Sequence, residues 1–308
     1  MKSKVFFCDT SGVDDYLNSW INGTFPMGLK TTMDSLDEHF RFKHSQLNIY
    51  GGMDNVGKST VIWYLMLLSA LLYKWKWLIY TAENRHEAVI KKLIEFYWCK
   101  PIAKMNANQL GAAKEFVLDH FKFIDTDGLA NYKDILLFVE QYSEHDGILI
   151  DPWNALTESG AGNKHDQDYE AIKYLKQYTK EHGKCVWVNA HVSTFAARVD
   201  KDSMEIPAPK KADIEGGNKF ANKADDVIMI HRHVYNEEKR FTTELHVAKV
   251  KEIETGGRVT PFIKPVLLKS VYGLVGFTCN GFNPIENFHG QYNHNFPKID
   301  FNEEQSWD

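Results

Sequence analysis

From residue 47 onward the chain alternates short, continuous apolar runs with longer segments whose apolar residues recur every three or four positions. The runs at 47–50, 78–82, 121–124, 147–151, 186–191, 227–231 and 244–250 have the length and β-branched content of strands. The segments at 58–73, 86–98, 109–120, 131–145 and 168–182 carry the helical period. Strands that are apolar on both faces and alternate with helices of this length predict an α/β fold, a mostly parallel twisted sheet with helices on both faces.

Both ends depart from this rhythm. Residues 1–26 read as an arm with a short linker helix at 13–21, where Val13, Tyr16, Leu17, Trp20 and Ile21 form one apolar stripe. Ser11 is placed to cap it and Asn22-Gly23 to stop it. A stripe on so short a helix has to be buried against something. Residues 27–288 read as a single α/β domain, and 289–308 as an acidic surface tail carrying Asp300, Glu303, Glu304 and Asp308. Residues 193–224 form a long polar stretch inside the domain, and loops of that length are usually functional. The longest apolar run, residues 61–75, covers 15 positions and contains Lys74, short of the ~20 residues of a membrane span. It predicts a buried helix, and no membrane association.

With 308 residues, 44% hydrophobic and 25% charged, the chain is an ordinary globular protein. Its formal net charge of -5 means that any polyanion has to be held by a local patch. Cys8, Cys99, Cys185 and Cys279 lie far apart without a CxxC pair, and the first residues, MKSKVFFCDTSG, are too poor in apolar side chains for a signal peptide. Both features predict a reducing, cytoplasmic compartment.

The decisive chemistry lies in Gly52-Met53-Asp54-Asn55-Val56-Gly57-Lys58-Ser59-Thr60, a GxxxxGK[ST] loop that follows a strand and opens a helix. Its backbone N–H groups and the helix N-terminus suit phosphates, Lys58 reaches the β- and γ-phosphates, and the Ser59 hydroxyl suits Mg²⁺. ATP and Mg²⁺ are therefore the expected ligands. The apolar strand ending in Asp151 has the form of a second Mg²⁺-binding segment, although Pro152 follows where many ATPases carry another acid. Glu83 ends the strand at 78–82 and is suited to polarise an attacking water. Its other use is to cap the following helix. His191 ends a third strand, where an imidazole can sense the γ-phosphate. In open α/β sheets ligands sit over the carboxyl ends of the strands, so these residues can converge on one triphosphate.

These ordered motifs resemble the replicative hexameric helicases with a RecA-like core, DnaB and the mitochondrial and phage Twinkle-like helicases. The similarity runs over roughly residues 12 to 280 and is carried by GLKTTMDSLD at 28–37, GGMDNVGKS, YTAENR with Glu83, LIDPWN with Asp151, VWVNAHVS with His191, PKKADIEGG at 209–217 and HVAKVK at 246–251. The resemblance implies a RecA-like P-loop NTPase, with Glu83 as catalytic base, His191 as phosphate sensor, and the loops after Asp151 and His191 lining a central pore. It also implies an ATP-driven, ring-forming helicase that translocates 5′ to 3′ on single-stranded DNA during replication, in bacterial or phage-infected cytosol rather than a mitochondrion. A primase, polymerase or loader would be a separate partner, since no large N-terminal domain precedes the motifs.

In that group a neighbouring subunit supplies a cation to the ATP site. The expected Lys-x-Arg reads Lys249-Val-Lys251, which puts a point charge where a guanidinium fork is usual, with Arg232 and Arg258 as other cations. Lys210, Lys211, Gly216, Gly217 and Lys219 are the expected DNA-backbone contacts, yet from Arg198 to Lys223 six bases face only five acids. Two other readings stay open: a RadA- or RecA-like recombination ATPase forming filaments, and a non-unwinding, ATP-gated clamp or loader. His231-Arg-His233 puts two imidazoles on one strand face, but with no cysteine or further ligand nearby in sequence it reads as structural rather than metal-binding. The eight tryptophans read mainly as core, and Tyr235 or Tyr272 as stacking partners for a base.

Overall fold

The computed structural model describes residues 7, 9–125, 131–142, 144–156, 164–201, 205–215 and 221–289. Two short helices, α1 (Val13–Ile21) and α2 (Asp34–Asp37), precede the first strand. Nine strands form one sheet: β1 (Leu47–Gly52), β2 (Trp77–Thr81), β3 (Phe121–Ile124), β4 (Gly147–Asp151), β5 (Cys185–His191), β6 (Asp226–His231), β7 (Thr242–Lys249), β8 (Val266–Ser270) and β9 (Phe277–Cys279). Their order is β3-β2-β4-β5-β1-β6-β7-β8-β9, parallel from β3 to β6 and antiparallel from β6 to β9. The parallel part is built with crossover helices, and the antiparallel edge with connections that hold no α-helix.

Side chains alternate across the sheet as the two-sided apolar runs require. Leu149, Cys185, Trp187, Ile228 and Ile230 face one core. Leu47, Ile49, Ile148, Ile150, Val186, Val188, Val227 and Met229 face the other. The first core is closed by α3 (Lys58–Tyr73), α4 (His86–Trp98) and α5 (Ala107–His120), together with the helix at Pro284–Phe288. The second is closed by α6 (Tyr132–Val139) and α7 (Lys164–His182). Helix α3 is apolar all round and buried along most of its length, the usual state of a central helix. Among the described residues no helix is long and apolar enough to cross a membrane. Trp63, Trp75, Trp77 and Trp187 are buried, with Trp77 and Trp187 in edge-to-face contact at 4.6 Å.

Three departures from the sequence reading have local causes. Strands β8 and β9 were outside the predicted set, because 266–279 is split by Gly273 and Gly276 into pieces too short to show a period. Helix α6 stops at Val139 rather than running to residue 145. Helix α1 is capped at Gly12 with no side-chain bond, because the Ser11 hydroxyl donates to Asp9 instead. No residue of α1 is buried, and its stripe, including Val13, Tyr16, Leu17 and Ile21, stays open. The tail from residue 290 lies outside the described residues.

Candidate functional site

Five adjacent strands, β2, β4, β5, β1 and β6, end at one edge of the sheet. They deliver Glu83, Asp151, His191, the 52–59 loop and Arg232 to the same place. The loop's shape follows from its glycines. A Cβ at Gly52 would fall on the carbonyl oxygen of Ile230 in the neighbouring strand, so only glycine lets β1 run on into the turn. Gly57 caps α3 in the left-handed region, φ 86°, which aims the first N–H groups of α3 into the loop.

Lys58 is buried, and its ammonium donates to the Met53 carbonyl at 2.8 Å, across the mouth of the loop. Burial lowers its pKa, against the pull of the carboxylates of Asp54, Asp151 and Glu83. The loop thus holds a cation in the position a triphosphate would occupy beside it. Thr60 follows in the first turn of α3.

Asp151 is fully buried. Asn189 donates to its Oδ1 at 2.6 Å and stands 3.3 Å from the Ser59 hydroxyl. Asp151 Oδ2 is buried and has no hydrogen-bond partner among the described residues. Burial pushes the Asp151 pKa up, while bonds from Asn189 and Ser59 hold it down, and Glu83 and Lys58 add smaller opposing charges. A buried carboxylate oxygen left over beside a serine hydroxyl fits Mg²⁺, a hard cation that takes oxygen ligands and keeps part of its water shell.

His191 bridges the site. Its Nε2 lies 3.5 Å from Glu83 Oε1 and its Nδ1 lies 3.7 Å from Asp54 Oδ1. Glu83 does not cap the following helix, whose N-cap is Arg85 with no side-chain bond. Its carboxylate is half-exposed and faces the loop.

The other predicted residues are placed as follows. Arg232 donates Nη2 to the Asn55 carbonyl at 2.6 Å, so it braces the loop of its own chain instead of reaching toward a neighbour's. Lys251 lies at the opposite edge of the sheet, with its ammonium 3.4 Å from Asp225, a residue that accepts from the first strand residue, Leu47. It reaches no phosphate of its own subunit. Arg258 pairs with Glu38 at 2.6 Å, beside the lead-in segment. Lys210 and Lys211 open a single-turn helix whose backbone is tied to the end of β5: Ser193 N donates to Asp213 O at 2.7 Å, and Glu215 N to His191 O at 2.9 Å. Gly216, Gly217 and Lys219 lie outside the described residues. Tyr235 is 88% exposed on the rim of a cavity beside the loop.

One participant was missed from sequence. Asn189 holds both Asp151 and Ser59, and its signal was a lone amide inside the apolar run of β5. Asp54, expected from sequence among the phosphate-loop residues, faces Lys58 at 3.9 Å and His191 at 3.7 Å.

Residues 28–266 match the DnaB-like helicase C terminal domain family. The Twinkle homolog protein, chloroplastic/mitochondrial, of Arabidopsis thaliana is 25% identical over 225 residues, which is 67% of this chain and 30% of that protein. This chain thus spans under a third of that relative's length. Among solved structures, one described as an ATPase domain superposes with a TM-score of 0.71 at 15% identity, covering 88% of this chain and 99% of that one. A DnaB-like replicative helicase, described with its interactions with primase, superposes with a TM-score of 0.69 at 16% identity, covering 88% of this chain and 68% of that one. At these identities the superpositions establish a shared fold.

Proposed function

The chain belongs to the DnaB-like helicase C-terminal domain family, and on that footing we propose that it is the ATP-driven motor of a ring-forming replicative helicase that moves on single-stranded DNA. The observation that carries this reading is the meeting of Lys58, Glu83, Asp151 and His191 at one strand edge, around a phosphate loop.

Each side chain has a task in hydrolysis. The loop N–H groups, Lys58 and the helix N-terminus bind and orient the triphosphate. Asp151 and Ser59 would hold Mg²⁺, with Asn189 fixing both side chains, and the bound ion neutralises charge on the phosphate oxygens. Glu83 takes a proton from the attacking water, with its carboxylate set by His191. His191 joins chemistry to DNA: its imidazole faces the site, and its carbonyl receives the Glu215 N–H of the segment that begins at Lys210-Lys211. Movement of His191 when phosphate is lost is thus passed to the expected DNA-binding loop.

Two features support assembly into a ring. Lys251, paired with Asp225 at the edge of the sheet opposite its own loop, could serve a phosphate only in a neighbour's site, in an oligomer. Val13, Leu17 and Ile21 of α1 stay exposed among the described residues, with Phe25 packed only on Tyr16 and Trp20, and a second copy would cover them. Free thiols at Cys99, Cys185 and Cys279 fit a reducing cytoplasm. Steady-state ATP hydrolysis with and without single-stranded DNA, beside native mass spectrometry, tests the proposal. DNA-stimulated turnover and a discrete six-subunit species are expected. A ladder of open oligomers would favour the recombinase-type filament, and DNA binding without turnover a clamp or loader.

A further inference from the structure

We propose that His231, His233 and Glu244 form a binding site for a divalent first-row transition metal, of which zinc is the type. The antiparallel pairing of β6 with β7 sets Glu244 directly opposite His231, thirteen positions away in sequence. One donor atom from each of the three side chains lies within 4.8 Å of the others. Four-coordinate zinc separates its ligand atoms by about 3.3 Å, so small side-chain rotations close the set. The reading of His231-Arg-His233 as merely structural rested on the lack of further ligands, and the fold supplies them from β7.

His231 provides the independent sign of a missing ligand. It is 2% exposed, and neither ring nitrogen has a hydrogen-bond partner among the described residues. A buried imidazole left in that state is costly and calls for a partner, and two nitrogen donors with a carboxylate suit a zinc-class ion better than Mg²⁺ or Ca²⁺.

The surroundings have the form of an outer ligand shell. Glu205 Oε2 lies 3.0 Å from His233 Nδ1, close enough to accept a hydrogen bond from it once the ring turns toward an ion although none is made here, while His233 Nε2 faces Glu244 Oε1 at 3.3 Å. His246 Nε2 lies 3.1 Å from Glu244 Oε2 and fixes the carboxylate. A carboxylate behind the far nitrogen of a histidine orients the near one for a metal. His231 and His233 line a cavity of about 660 Å³ shared with Asp54 and Asn55 of the phosphate loop, which gives an ion a route in. The bound ion would fix the backbone on both sides of Arg232, and so the contact of Arg232 with the Asn55 carbonyl.

The test is titration of the chelator-stripped full chain with cobalt(II) in the absence of nucleotide, read by visible absorption. The expected result is one equivalent per chain, with the strong absorption of a four-coordinate ion, displaced by zinc. His233→Asn and Glu244→Gln, each checked for an unchanged circular dichroism spectrum, are expected to weaken cobalt binding at least roughly 10-fold. Zinc is also expected to raise the melting temperature of the unsubstituted chain. Absence of binding overturns the site. So does weak, six-coordinate absorption that survives both substitutions, which would assign the ion to Ser59 and Asp151.

Discussion

Replacing Asn189 with alanine probes the metal-binding chemistry of the site without touching a phosphate contact. Asn189 donates to Asp151 Oδ1 at 2.6 Å and reaches the Ser59 hydroxyl at 3.3 Å, inside the sheet where water cannot substitute. A hydrogen bond to a charged group contributes about 1.5–3 kcal/mol, and its loss from a metal-ligand support lowers metal affinity by roughly 10- to 100-fold. Burial already raises the Asp151 pKa, opposed first by the Asn189 bond, so removing that bond raises it further. The sign for stability follows. A carboxylate with a raised folded pKa is penalised when ionised, and the penalty is absent at low pH and grows as pH rises through the folded value. Asn189→Ala is therefore expected to lose more stability at pH 8 than at pH 5, because Ser59 and Lys58 alone remain to favour the ionised form and Glu83 opposes it. The assay is ATP hydrolysis as a function of Mg²⁺ and of pH, beside urea unfolding. The Mg²⁺ requirement is expected to rise by the stated factor, and the acid limb of the rate profile to move to higher pH, with little change in nucleotide affinity measured without Mg²⁺. An unchanged Mg²⁺ requirement and rate profile, in a variant that folds, would refute the assignment of Asn189 and Asp151 to the ion.

Other expectations follow from single contacts. Glu83→Gln is expected to keep nucleotide binding and lose turnover by roughly 10²-fold or more, measured in single-turnover hydrolysis; near-normal rates would remove Glu83 from the role of base. Lys251→Ala is expected to leave nucleotide affinity intact while lowering DNA-stimulated turnover at least roughly 10-fold, and a small fraction of it mixed into unsubstituted chains should depress the whole population if, as proposed, each site borrows a neighbour's cation. Burial, reinforced by Asp225 and Glu252 and only partly offset by Lys43 and the Lys251 N–H, pushes Asp226 up to about 6. Its ionised form is thus penalised above that pH and the penalty fades toward the ordinary value of 3.8, so Asp226→Asn is expected to raise the urea midpoint at pH 8 and leave it little changed at pH 4.

The parallel core of the fold was legible because its strands are buried on both faces and bounded by helices of clear period, as in the run from Leu47 to Tyr73. The antiparallel edge was less so: β8 alternates buried and exposed side chains over only five residues, and β9 has three, within the noise of any periodic pattern. At the site, residues fixed by backbone geometry were readable. Gly52, Gly57 and Lys58 have spacing that a phosphate loop imposes, and Glu83, Asp151 and His191 announce themselves at strand ends. Partnerships across strands were not readable. Asn189 meets Asp151, and Glu244 meets His231, only through the sheet register, which no local period encodes. Arg232 could be named as a cation, but its direction depends on where β6 ends relative to Asn55.

Unwinding of a forked DNA duplex in Mg²⁺-ATP, compared between the unsubstituted chain and Lys58→Ala, tests the motor most directly. Strand separation that needs a 5′ tail, and vanishes with loss of the ammonium that spans the phosphate loop, is predicted. Equal separation by the Lys58→Ala chain, or none by the unsubstituted chain while it hydrolyses ATP on single-stranded DNA, would contradict it.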